Sequence, residues 1–157
     1  MPLDATPTEA GLLRRALLAL VAFTAGGLVV ELLLLEHWGS PSQYIPLVLL
    51  ALVLGVAASA AWRATRGVLR ALQALMVLCV VAGAVGVLLH YRGNVEWELE
   101  RVGALHGWAL FTEAVRGATP ALAPGAMAQL GLLGLVATWR HPALRAGAPP
   151  NSSTTTT

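Results

Sequence analysis

The chain of 157 residues contains no lysine, only one cysteine, and few charged side chains of any kind: Asp, Glu, Lys and Arg together make up 11% of it. Soluble domains carry about 25% charged residues. A chain so poor in charge, and 57% hydrophobic, cannot hide its apolar surface inside a single water-soluble domain. Aromatics are scarce too, at 6%, so the apolarity comes from Leu, Ala, Val and Gly, the residues of lipid-facing and closely packed membrane helices. Cys79 stands alone in an apolar run. It can form neither a disulfide framework nor a thiolate metal site and reads as a small core residue.

All ten basic residues are Arg and the net charge is +2. The Arg residues are scattered at the ends of apolar runs instead of forming a stripe, which excludes a nucleic-acid surface. Arg without Lys, together with abundant Ala, Gly and Leu, fits a high-GC bacterial genome. The chain has no Gly-rich phosphate loop with its Lys, no strand context for a dinucleotide fold, no Ser-x-x-Lys and no nucleophile elbow. No helix repeats the Glu and His-Glu pattern of di-metal bundles. No catalytic residue is assigned, the chain is read as a non-enzyme, and no cofactor is specified.

What is present is a series of apolar segments. Thr6, Pro7, Thr8 and Glu9 form a capping-box start with Pro at the first helical position. The apolar run that follows continues too far for a cleaved signal peptide and opens a multi-pass protein. The reading is an all-α membrane protein, with residues 1–142 forming one compact bundle of four transmembrane helices. The spans cover about 12–38, 45–62, 68–90 and 122–139, each near the roughly 20 residues a bilayer requires. The breakers Pro120 and Pro124 precede the last of them.

Arg14, Arg15, Arg63, Arg66, Arg70, Arg140 and Arg145 fall on one side of these spans, and Arg92, Arg101 and Arg116 on the other. Seven against three places both termini in the cytoplasm, which for a bacterial chain means the inner (plasma) membrane. Trp38, Tyr44, Trp62, Tyr91 and Trp139 mark the interfaces. The outer loop, 91–120, is long enough to carry structure. Trp108, Leu110, Phe111 and Val115 recur at helical spacing, as in an interfacial amphipathic helix. Glu96, Glu98 and Glu100 alternate with Trp97 and Leu99, which predicts an extended stretch. The loop is expected to lie flat over the outer mouth of the bundle. Residues 143–157, with Pro, Ser and Thr and no periodicity, read as a disordered cytoplasmic tail. Asn151 matches a glycosylation acceptor formally, but a cytoplasmic location makes the match irrelevant.

The first hairpin carries Glu36, His37, Trp38, Pro46, Gly55, Trp62 and Arg63; the second carries His90, Tyr91, Pro124, Gly134, Trp139 and Arg140. This echo is what a parallel repeat about the membrane normal would produce. Ala22 and Gly26, Gly55 and Ser59, Ala82 and Gly86, and Gly131 and Gly134 are spaced for close helix packing, within the chain or against a partner.

Two groups of residues could carry function. Glu31, flanked by Val and Leu, must be paired, protonated or turned inward. It is either a proton or ligand site, or a structural partner of Gln129 or an outer-loop Arg. His37, His90 and His106, with Glu36, all fall on the outer side, where two or three His and a carboxylate could bind zinc, copper or haem iron. Three functions follow. The leading one is a non-catalytic accessory or scaffold subunit, held by other membrane subunits or by copies of itself through Trp97, Trp108 and Phe111. The alternatives are a small proton-coupled transporter using Glu31 and Gln129, and an outer-face metal or haem protein.

Overall fold

The computed structural model describes residues 8–117 and 119–145, and among these every regular element is a helix. The elements are α1 (Glu9–Leu34), α2 (Tyr44–Trp62), α3 (Arg66–Arg101), α4 (Gly107–Arg116), α5 (Gly125–Thr138) and α6 (Pro142–Arg145), with a 3-10 turn at Pro41–Gln43 before α2. α1, α3 and the segment Pro41–Trp62 are long and apolar enough to cross a membrane. In α2 the outward Ile45, Val48 and Leu52 are as apolar as the buried Leu50 and Val53. A helix apolar on every face needs a nonpolar environment on every face.

α1 is capped by Thr8, whose hydroxyl accepts from the Gly11 N–H at 3.3 Å. The cap thus lies two residues beyond the Thr6 start expected from sequence; Thr6 and Pro7 fall outside the described residues. The helix also stops earlier than its expected end at residue 38. Glu36 adopts φ 50°, its N–H donates to the Leu33 carbonyl at 3.2 Å, and the His37 N–H donates to the Leu32 carbonyl at 2.9 Å. This pair of bonds is the Schellman termination, with Glu in the left-handed position that Gly favours.

α1, α2, α3 and α5 form a closed ring. α1 packs on α2 and α5, α3 packs on α2 and α5, and the pairs α1/α3 and α2/α5 lie on the diagonals without packing together. Side chains such as Val21, Leu50, Leu72, Met76 and Leu130 fill the centre. The seam between α3 and α5 is the closest. A Cβ placed on Gly131 would lie against the backbone of Met76 and Val80, so only glycine permits this approach.

α5 has 14 residues, about 21 Å of helix, and is apolar but shorter than a bilayer crossing. The expected span 122–139 is trimmed at its start, where the segment around Ala121–Pro124 is a turn and not helix. Pro124 is the N-cap.

α3 departs most from expectation. Instead of ending at His90 it continues to Arg101, 36 residues in all, so the stretch containing Glu96, Glu98 and Glu100 is helical and not extended. The alternation of Glu with Trp97 and Leu99 conceals a helical pair, Asn94 and Glu98, four residues apart and both buried. α4 packs on α3 alone. The expected helix between Trp108 and Val115 therefore exists but rests on the α3 extension and does not span the mouth of the ring.

The two hairpins are not equivalent. His37 lies beyond the end of α1 whereas His90 lies inside α3, and a Cβ on Gly55 meets nothing while one on Gly134 would strike Met76. The last described residues of the expected tail, Ala143–Arg145, belong to α6; residues 146–157, Asn151 among them, lie outside the described residues.

Candidate functional site

At the end of the ring remote from the α2–α3 turn, the α3 extension and α4 are joined by one buried polar side chain. Asn94 is 2% exposed. Its Nδ2 donates to the carbonyls of Ala114 at 2.9 Å and Thr119 at 2.6 Å, and its Oδ1 accepts from the Thr119 N–H at 3.2 Å and the Thr119 hydroxyl at 2.6 Å. Four bonds satisfy the whole amide, the condition under which burying it is tolerated. Gly117 allows this: a Cβ there would stand 2.6 Å from Asn94 Cγ. One turn further, Glu98 is 5% exposed and accepts from Arg101 Nη2 at 2.6 Å and Nε at 3.2 Å. Both contacts use one oxygen of Glu98, and the Arg is half-exposed, so the pair aligns two side chains on one helix and contributes little net stability.

The clamp presents aromatics outward. Trp108 stacks on Phe111 with ring centroids 5.0 Å apart, and Phe111 meets Tyr91 at 5.9 Å. Trp108 is 75% exposed, Trp97 54% and Phe111 42%. Ala114, one turn on from Phe111, is fully buried. α4 thus buries its small residue, sets Phe111 against Tyr91 of α3 and leaves Trp108 largely exposed.

The histidines expected on the outer side are dispersed. His37 follows α1 and His90 lies on the diagonally opposite α3, where its Nδ1 meets the Pro120 carbonyl at 3.3 Å. His106 precedes α4, its Nδ1 2.8 Å from the Ala104 carbonyl. Among the described residues no three His, Cys, Asp or Glu side chains gather around a point that could hold a metal, so His37, His90, His106 and Glu36 do not form one ligand set.

Glu31 is exposed in the last turn of α1, and Gln129 is exposed on α5. No hydrogen bond joins them. Leu13 and Leu17 of α1 line one groove with Val136 and Trp139 of α5. That register sets Gln129 level with about Leu20 to Thr24, roughly 10–16 Å along the helix from Glu31. Neither residue faces the centre of the ring. There the buried polar side chain is Thr138, whose hydroxyl donates back to the carbonyls of Gly134 and Leu135 at 3.1 Å.

The opposite end is basic. Arg14 and Arg15 near the start of α1, Arg63, Arg66 and Arg70 around the α2–α3 turn, and Arg140 and Arg145 after α5 all lie there, with Glu9 the one acid among the described residues. His141 reports the field. Its pKa is lowered below 6.5, first by partial burial and then by the Arg14 charge, and its Nδ1 accepts from the Ala143 N–H at 3.2 Å.

No family model, curated protein or solved structure matches this chain. Its function must be argued from the site alone.

Sequence patterns single out Trp97, Trp108, Phe111 and Glu31 as candidates and read Glu98 only as part of an extended alternation, while Asn94 and Gly117 carry no assignment. The one advance signal for the clamp is the spacing of Asn94 and Glu98, which hydropathy does not detect because both are polar.

Proposed function

We propose that this chain crosses a bacterial inner membrane four times, with both termini in the cytoplasm, and serves as a non-catalytic accessory or scaffold subunit of a larger membrane complex. α5 supplies the fourth crossing when the turn before it and Trp139 after it extend its 14 residues toward both interfaces. The Arg excess at the end bearing the termini supports the orientation.

One observation carries the functional reading: the centre of the ring is filled with apolar side chains, while the residues out of keeping with lipid face outward. Trp97, Trp108 and Phe111 are exposed beyond the apolar band, and Glu31 is exposed on α1. An interface core is enriched in aromatics, and a carboxyl in lipid is costly until another group satisfies it. A pathway through the ring would need polar lining, and the transporter reading finds Glu31 and Gln129 outside it.

Extraction of the tagged protein from its native membrane in mild detergent tests the proposal. The expected result is recovery within a defined larger assembly, diminished by Glu31→Leu or by Trp108→Ala combined with Phe111→Ala. Recovery as a lone monomer in every mild detergent would refute it.

A further inference from the structure

Where α1 meets α5 at the basic end, the two helices leave a groove of about 360 Å³ lined by Ala10, Leu13, Leu17, Val136, Arg14 and Trp139. Its walls are aliphatic over Ala10 to Leu17, two helical turns or roughly 10 Å, which matches much of one leaflet's hydrocarbon depth of about 15 Å. Arg14 is one of the residues that line this otherwise apolar groove, Trp139 stands 70% exposed beside it, and Arg140 follows directly on Trp139. The groove therefore combines a slot for an alkyl chain, an interfacial indole and a cationic fork suited to a phosphate.

We propose that this groove binds a phospholipid with an anionic headgroup, its acyl chain along Leu13, Leu17 and Val136 and its phosphate held by Arg14. The inference rests on the membrane-spanning reading above. Charge selects the occupant: among the described residues, the charged and titratable groups around this end are seven Arg, His141 and one acid, Glu9. A zwitterionic headgroup gains less from that field than an anionic one: each Arg near an anionic membrane surface strengthens binding by about five-fold, and basic pockets between helices bind acidic headgroups.

Trp139 provides the probe. Full-length protein with Trp38, Trp62, Trp97 and Trp108 replaced by Phe is titrated in mixed micelles with phosphatidylglycerol or phosphatidylcholine brominated in the acyl chain. Phosphatidylglycerol is expected to quench Trp139 at a several-fold lower mole fraction. Arg14→Gln in this background should bring the two lipids within two-fold, and Arg63→Gln, outside the groove, should leave the preference intact. Equal quenching by both lipids, or a preference that survives Arg14→Gln, overturns the proposal. Reversal by millimolar inorganic phosphate overturns it as well, by reassigning Arg14 to a soluble anion. Native mass spectrometry of the otherwise unaltered chain reads the same claim if the four replacements disturb folding: retained phosphatidylglycerol should be lost in Arg14→Gln, and its retention refutes the site. Alkaline carbonate extraction separates the two readings. A chain released from membranes sinks the membrane assignment itself, whereas a chain that resists extraction and shows no lipid preference sinks only the groove.

Discussion

Glu36 holds φ 50° with a full side chain, a conformation that costs an L-residue roughly 1 kcal/mol or more and glycine almost nothing. Its carboxylate accepts no hydrogen bond from the described residues that would offset the strain. Glu36→Gly should therefore raise stability by about 0.5–1 kcal/mol, after allowing for the greater freedom of glycine in the unfolded chain, seen as a higher melting temperature in detergent. A drop would mean that the Glu36 side chain has an attractive role. His141 gives a second expectation. Its pKa lies below 6.5, so the folded chain favours the neutral ring, and its contribution to stability is fully present above about pH 6.5 and declines as the pH falls through that value. Protonation also removes the acceptor used by the Ala143 N–H. NMR titration should give a pKa under 6.5 that rises toward 6.5 in Arg14→Gln; an unchanged value would exclude Arg14 as a cause.

At the scale of the element, the extension of α3 and the seat of α4 depend on Asn94. Asn94→Ala leaves the carbonyls of Ala114 and Thr119 and the Thr119 N–H without their partner. Buried groups deprived of hydrogen bonds cost about 1–3 kcal/mol each, less where water can reach them. The expected loss of about 2–4 kcal/mol is local: amide exchange should accelerate across Gly107–Arg116 while α2 stays protected. Uniform acceleration in all helices would show that the clamp supports the whole bundle. The same residues explain what sequence could and could not reveal. α1, α2 and the first part of α3 were legible because a bilayer demands long apolar runs, and no competing structure satisfies Leu32 to Leu35 or Leu47 to Leu54. The α3 extension was hidden because its contacts are polar and its partner, Thr119, lies 25 residues away. The placement of Glu31 was hidden for another reason: in a helix apolar on all faces, hydropathy does not distinguish the side facing a neighbour from the side facing lipid.

At the scale of the whole molecule, the small residues separate contacts within the chain from contacts beyond it. Gly131 meets the backbone of α3, so Gly131→Ala forces α3 and α5 apart and should destabilise the bundle by about 1–3 kcal/mol, read as a lower melting temperature of the isolated protein. Gly55, with Ser59 one turn on, lies exposed on α2, and a Cβ there meets nothing. Gly55→Leu should leave the melting temperature of the isolated chain within the small change of a surface substitution, about 0.5 kcal/mol. If another subunit's helix packs against this face, as small residues on membrane helices permit, the same substitution should remove the chain from its assembly during native extraction. The two measurements must diverge for the accessory-subunit reading to place a partner on α2. If Gly55→Leu alters neither, this face of α2 meets lipid, and the partner is to be sought at Glu31 and the exposed rings of α4.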